Sequence, residues 1–293
     1  MNALPHIYNL YEMVRAHPAE YRQLALNEVL MTEFSCPLEH RIQPIWSQHN
    51  YVLFVLEGKK VWHTADGSFD LTAGTCAFVR KGAAFVEQFF DKRFCLVLFF
   101  LPDAFICDTL RPVVQAAPTA AGALPPIIRV DLDSALAAFF QSVLPYFSRM
   151  RPPDNALLEL KFRELLLNIA GNTHNQQLLT HFCSLLQGPS DATLRATMEE
   201  NLCYNLRLEE YAQLCNRSLS AFKRDFQKVF NTSPGKWLLA KRLAHARMLL
   251  AGTEKSVSEA AFESGFENLS HFSRVFRQQF GVSPASVRQQ QVF

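Results

Sequence analysis

The segment Ser218-Leu-Ser-Ala-Phe-Lys-Arg-Asp-Phe-Gln-Lys-Val-Phe-Asn-Thr-Ser-Pro234 returns 50 residues later, without a gap, as Asn268-Leu-Ser-His-Phe-Ser-Arg-Val-Phe-Arg-Gln-Gln-Phe-Gly-Val-Ser-Pro284. Eight of the 17 positions are identical. Agreement this dense over so short a window marks one structural unit used twice.

Both copies have the same physical grammar. Leu219, Phe222, Phe226 and Phe230 recur at helical spacing, as do Leu269, Phe272, Phe276 and Phe280, so each segment predicts a helix with one aromatic stripe turned inward. Ahead of the first, Leu208, Tyr211, Ala212 and Leu214 form the apolar face of a shorter helix, followed by the tight turn Cys215-Asn216-Arg217. Ahead of the second, Ser256-Val-Ser-Glu259 is a capping box, and Gly265-Phe266 supplies the left-handed stop. Two short helices joined by a three- or four-residue turn make a helix-turn-helix. After each unit, Ser-Pro sets an N-cap and a first helical proline. The first of these opens a long helix, Pro234 to Leu250, that joins the units.

The faces opposite the phenylalanines carry the chemistry. Arg217 and Ser218 lead into the first reading helix, which shows Ser220, Ala221, Lys223, Arg224, Gln227 and Lys228. Asn268 leads into the second, which shows Ser270, His271, Ser273, Arg274, Arg277 and Gln278. Asp225 is the only acid in either helix. Arg and Lys read guanine edges or phosphates, amides read adenine, and hydroxyls serve either. The bland alternative is a solvated helix face; the duplicated frame favours contact with double-stranded DNA, with Arg224 and Arg274 either reading bases or, as the alternative, chiefly holding phosphates. A linker of about 17 residues, roughly 25 Å long, suits two major-groove entries about 34 Å apart.

Composition agrees. The 293 residues are 49% hydrophobic and 19% charged, which excludes a disordered chain and supplies two cores. The net charge of +2 hides an asymmetry: from Gly188 onward there are 14 Lys and Arg against 10 Asp and Glu, a basic end suited to a polyanion. The longest apolar run, Phe94–Leu101, is too short to cross a bilayer, which takes about 20 residues, so no membrane role is expected. Met1 to His6 has no basic segment leading an apolar core, so no secretory signal is expected. Seven cysteines without a C-x-x-C pair fit reduced thiols in a cytoplasmic protein, with no metal.

The N-terminal part reads differently. Tyr51–Leu56, Lys59–Thr64, Phe69–Leu71, Thr75–Val79, Ala84–Phe89 and Phe94–Leu101 are short β-rich runs separated by Glu57-Gly58, Asp66-Gly67, Ala73-Gly74 and Lys81-Gly82. Such spacing predicts a sandwich or barrel. Pro112 to Pro126 reads as a surface loop. Helical spacing returns in Leu132–Val143 and Leu157–Ile169. Gln187-Gly-Pro-Ser190 then breaks the pattern, so the expected domains are 1–187 and 188–293.

Residues 191–288 resemble the DNA-binding domain of AraC/XylS transcription regulators. Ala261, Gly265-Phe266, Ser270–Arg277 and Phe280-Gly-Val-Ser-Pro284 carry the likeness, and Arg242–Leu250 looks like the family's linker helix. The first unit departs by placing Cys215-Asn216 where the turn often carries glycine. Tyr51–Gly58 and Leu71–Gly82 are similar to the cupin-like half of family members, including ExsA-like activators. The resemblance implies promoter binding, transcription activation with RNA polymerase as partner, and control through the N-terminal half by a small effector, an antiactivator protein or a homodimer.

The expected architecture is therefore α+β: an N-terminal cupin-like β-barrel with flanking helices, and an all-α C-terminal domain of two helix-turn-helix units on a linker helix. A cupin enzyme is the competing class, but His40, His49 and His63 stand apart, without the paired spacing that a catalytic metal needs. The reading is a DNA-binding regulator, not an enzyme, with no cofactor. Cys76 and Cys95 lie in apolar runs and read as inert core thiols. Trp46, Tyr51, Trp62 and Phe85 are candidates for an effector pocket, with aromatic core packing as the alternative. The late helices, Leu157 to Leu186, suit either a dimer interface or packing on the barrel.

Overall fold

The structure, a computed structural model, describes residues 7–35, 41–64, 67–89, 93–114, 124–149 and 151–289. The chain forms two compact units, divided between Pro189 and Ser190.

The N-terminal unit contains eleven strands among the described residues: β1 (Tyr8–Asn9), β2 (Arg22–Leu26), β3 (Val29–Ser35), β4 (Ile42–Ser47), β5 (Asn50–Glu57), β6 (Lys59–Thr64), β7 (Gly67–Thr72), β8 (Cys76–Val79), β9 (Gly82–Gln88), β10 (Cys95–Leu101) and β11 (Ile127–Arg129). They form two sheets, in the orders β1-β4-β9-β6-β7 and β11-β8-β5-β10-β3-β2. Helices α1 (Leu10–Ala16), α2 (Asp103–Leu110), α3 (Ser134–Val143), α4 (Asn155–Gly171) and α5 (Gln176–Leu186) accompany them.

The strand β10 explains the layering. Every one of its seven residues is buried. Leu96, Leu98 and Phe100 face a core between the sheets, while Val97, Phe99 and Leu101 face a second core shared with α2 to α5. A strand covered on both faces reads as a continuous apolar run, which is why Phe94–Leu101 lacks alternation. The second core is largely aromatic: Phe54 stacks on Phe140 at 4.3 Å, and Phe99 meets Phe139, Phe140 and Phe162 within 6.0 Å.

The two facing sheets with flanking helices agree with the expected α+β class and cupin-like β half, except that the barrel does not close. Each sheet ends in its own edge strands, β1 and β7 in one, β2 and β11 in the other, and no pairing joins the sheets among the described residues. The helical layer covers the six-stranded sheet instead. The hairpin β2–β3 lies ahead of the segment expected to be β-rich; Asn27 turns it at φ 53°, a left-handed conformation that Asn tolerates. Gly58 is required between β5 and β6: φ is 85°, and a Cβ would lie 2.3 Å from the Arg93 carbonyl oxygen. Strands β6 and β7 pair as a hairpin, although Asp66, His40, Met1 to His6 and residues 115–123 of the expected loop lie outside the described residues.

The C-terminal unit is helical: α6 (Asp191–Glu200), α7 (Leu208–Leu214), α8 (Leu219–Phe230), α9 (Pro234–Gly252), α10 (Val257–Glu263), α11 (Leu269–Phe280) and α12 (Pro284–Gln289). No helix among the described residues is long and apolar enough to cross a membrane.

Candidate nucleic-acid interface

The pairs α7–α8 and α10–α11 are the two halves of the sequence repeat. Ser218 and Asn268 cap the second helices: the Ser218 hydroxyl accepts from the Ala221 N–H at 3.3 Å, and the Asn268 amide oxygen accepts from the His271 N–H at 2.8 Å. Asn231 and Gly281 end them at φ 56° and 75°. The start, stop and stripe of the two helices therefore superpose at the 50-residue shift. The turns differ: four residues separate α7 from α8, and five separate α10 from α11. Asn216, at φ 53°, takes the left-handed position in the first turn, and Gly265, at φ 80°, takes it in the second. The turn thus keeps its geometry without glycine, because Asn enters the left-handed region at low cost.

Both aromatic stripes are core. Phe222, Phe226, Phe272 and Phe276 are fully buried. Trp237 at the start of α9 receives Phe226 and Phe230 at ring distances of 5.9 and 5.0 Å. The other end of α9 builds a separate cluster, in which Leu243, Ala246 and Leu250 meet Phe266, Phe272 and Phe276. One helix of 19 residues, about 28 Å long, thus carries both units.

With the stripes inward, the polar faces turn out. Ser218, Ser220, Lys223, Arg224, Gln227 and Lys228 are exposed on the first unit, and Asn268, Ser270, His271, Arg274, Arg277 and Gln278 on the second. Ala221 and Ser273 are half-buried at the margins. Arg217 departs from its expected role: its side chain is 12% exposed, its Nε lies 3.0 Å from Asp225 Oδ2, and its Nη1 donates to the Cys215 carbonyl oxygen at 3.2 Å. It braces the turn from below and does not project from it. The Arg217 guanidinium, helped by Arg224, holds the Asp225 carboxyl below its ordinary range. The first face thus carries one acid within its basic field; the second has Val275 at that place and carries none. Arg274 and Arg277 stand on α11 without a carboxylate on their own helix.

The four pocket candidates are not brought together. Tyr51 and Trp62 lie between the sheets with ring centroids 6.4 Å apart. Trp46 follows Ile45, and Phe85 sits between Ala84 and Val86, all three neighbours facing that core; strand alternation therefore turns Trp46 and Phe85 to the opposite face. The cavity beside Trp62 is about 20 Å³, lined by Leu10, Met13, Phe34, Lys60 and Leu98 among others, room for a water molecule or two. Sequence reading missed Lys60, which is buried there and donates to Gln88 Oε1 at 3.2 Å. Its signal was a lysine in an alternating strand at a core-facing position. Of the histidines weighed as metal ligands, His49 packs edge-on against Tyr11 at 4.6 Å, and His63 bonds Ser68 and Glu87. Cys76 and Cys95 are buried, and burial raises both thiol pKa values.

Residues 50–181 match the profile of the ExsA N-terminal regulatory domain, and residues 211–290 match that of a helix-turn-helix domain. The chain is 24% identical over 269 residues, 90% of its length and 97% of the relative's, to the virulence regulon transcriptional activator VirF of Yersinia enterocolitica serotype O:8 / biotype 1B. It is 25% identical over 287 residues, 92% of its length and 95% of the relative's, to the HTH-type transcriptional regulator ExsA of Pseudomonas aeruginosa. A solved AraC-type regulator structure from Chromobacterium violaceum is 30% identical over 36% of this chain and 95% of that one, with a TM-score of 0.33. With a duplicated helix-turn-helix on one linker helix after a segment that matches a regulatory domain of the ExsA type, the chain is similar over nine-tenths of its length to transcriptional activators, and its architecture is that of a DNA-binding transcription regulator resembling the AraC/XylS family.

Proposed function

We propose that the protein activates transcription by laying α8 and α11 into successive major grooves of a promoter, with Lys223, Arg224, Gln227 and Lys228 on the first box and His271, Arg274, Arg277 and Gln278 on the second. The observation that supports this is the outward turn of both polar faces once the phenylalanine stripes are buried. Ser218 and Asn268 contribute through the caps that aim the helix starts, and Arg217 contributes through the turn. Ser220, Ala221, Ser270 and Ser273 lie beside the cations as groove-wall contacts. RNA polymerase is the partner that activation calls for. The protein works in the cytoplasm, where its DNA is, and catalyses no reaction.

The N-terminal unit, with its two-sided core, is the regulatory body. Its inter-sheet space is filled by Tyr51, Trp62 and Phe100, which favours control by self-association or a protein partner over a preformed small-effector pocket. The surface that supports self-association is on α4, where Leu160 and Leu167, seven residues apart and 62% and 42% exposed, share one face.

The test is a selection of bound duplexes from random DNA with the full-length protein, followed by binding at several salt concentrations. Lys223→Ala and Arg277→Ala each cost about 1–3 kcal/mol where the residue reads a base, and lower the salt slope by about one where it holds a phosphate. Unchanged affinity and slope in both variants overturn the assignment of these faces.

A further inference from the structure

We infer that Arg242 is a positioning residue: a strut that locks the second helix-turn-helix against the first, so that α8 and α11 stand at one separation. The two units have separate aromatic cores, one around Trp237 at the start of α9 and one around Leu243, Ala246 and Leu250 further along. Two cores threaded on one helix leave each unit free to rock about it unless something ties them together. Arg242, the ninth of the 19 residues of α9, sits between them.

Its guanidinium reaches both units at once. Nε donates to the Leu202 carbonyl oxygen at 2.6 Å and Nη2 to that of Tyr204 at 2.7 Å, both in the segment between α6 and α7. Nη1 donates to the Gly265 carbonyl oxygen at 3.3 Å, in the turn between α10 and α11. A planar fork of five N–H groups can hold three acceptors at fixed angles; an ammonium on a flexible stem cannot hold the same three.

Two neighbours repeat the tie. Gly265 comes so close to the first unit that a Cβ would lie 2.7 Å from the Cys203 carbonyl oxygen, and its φ of 80° already favours glycine. His245, one turn beyond Arg242 on α9, places Nδ1 3.1 Å from the Ser264 hydroxyl of the second turn and 3.6 Å from the Cys203 thiol of the first unit. Ser264 is fully buried. The same short stretch of chain, Leu202 to Tyr204, is thus held against the second reading turn by two side chains of one helix face. The turn held at Gly265 is the one that aims α11. The consequence for promoters is a fixed spacing between the two boxes, which rests on the DNA-facing assignment above; the strut itself is tested without DNA.

The experiment is a dipolar electron-resonance measurement on the full-length protein. Spin-labelled non-natural residues are placed at the exposed repeat-equivalent positions Lys228 and Gln278, so the native cysteines are untouched. The parent protein gives one narrow distance distribution. Arg242→Gln broadens it by about twofold, because the remaining packing permits rocking. Arg242→Lys keeps the charge and apolar stem, serves where Arg242→Gln does not fold, and broadens the distribution as well. Gly265→Ala shifts the mean distance, since its Cβ pushes the turn away from Cys203. Folded Arg242 variants with the parent width overturn the strut, as does a Gly265→Ala protein with the parent mean. Failure of the DNA-facing assignment registers in the Lys223 and Arg277 variants and leaves these distances untouched.

Discussion

Arg217 and Asp225 close an ion pair across the first helix-turn-helix, Nε to Oδ2 at 3.0 Å, that the second unit does not repeat. At the 50-residue shift their places hold Glu267 and Val275. A folded-state carboxyl held low contributes stability above the ordinary carboxylate range and loses it as pH falls through the lowered value. Acidification therefore loosens the Cys215–Ser218 turn, which amide exchange of that turn in the parent and in Asp225→Asn at falling pH reads directly. Asp225→Asn removes the acid and releases Arg224, which is 67% exposed. Nonspecific duplex affinity rises, and the salt slope steepens by up to about one. A variant with parent affinity at low salt would show that Arg224 does not face the backbone.

Much of this was legible in the sequence because helical repeats state their geometry locally. Phe222, Phe226, Ser218, Asn268, Gly265 and the Ser-Pro pairs each act within a few residues of themselves, so caps, stops and buried stripes followed from spacing. The fate of Arg217 did not follow, because an arginine in a turn looks the same whether it reaches outward or folds back on a carboxylate eight residues on. That the barrel stays open was hidden for a related reason. Short alternating strands specify a sheet with a buried face, but closure depends on long-range edge pairing, which the local pattern of a strand does not state. The pocket candidates failed on register: Trp46 and Trp62 belong to different faces of one sheet, and a one-residue phase decides which.

His181, buried on α5, predicts an acid-sensitive N-terminal unit. Its ring lies 5.4 Å from Phe78, and Nε2 is buried without a hydrogen-bond partner among the described residues. Burial, aided by Arg80, pulls its pKa from 6.5 down to about 3. Between those values the unfolded chain binds a proton that the folded chain refuses, so stability falls as pH drops, by up to roughly 1.4 kcal/mol per pH unit. His181→Phe retains the aromatic packing and loses that slope. Urea midpoints at pH 7 and pH 5 decide it; an equal acid loss in the variant assigns the sensitivity elsewhere.

Leu160 and Leu167 predict the route of self-association. Both are exposed on α4 while Leu158, Phe162, Leu165 and Leu166 on the same helix are buried, so Leu160→Glu with Leu167→Glu leaves the core intact. Burying one leucine contributes about 1.5–3 kcal/mol, so loss of the pair weakens a dimer on this face by at least about tenfold. Sedimentation velocity over a concentration series reads the change. A parent protein that associates with unchanged affinity after both substitutions places its interface on another surface.

The C-terminal unit alone predicts autonomous DNA binding. From Ser190 onward it has what an independent fold requires: a cap on α6 from Ser190, a capping box on α10 from Ser256 and Glu259, and left-handed stops at Asn231 and Gly281. Its two cores are built from its own phenylalanines, with Arg195 over Phe230 and Arg247 over Phe280 closing their outer ends at 4.8 and 4.9 Å. Phe276→Ala empties a fully buried site and costs about 3–5 kcal/mol, enough to unfold α10 to α12 while α8 retains its contacts with Trp237. A fragment from Ser190 therefore binds the selected duplex at low salt, and its Phe276→Ala variant keeps the first box and loses the second, as footprinting shows. A folded fragment with no affinity at low salt would mean that the reading faces need the N-terminal unit to complete them. Loss of both boxes in the variant would mean that α9 does not keep its two cores separate.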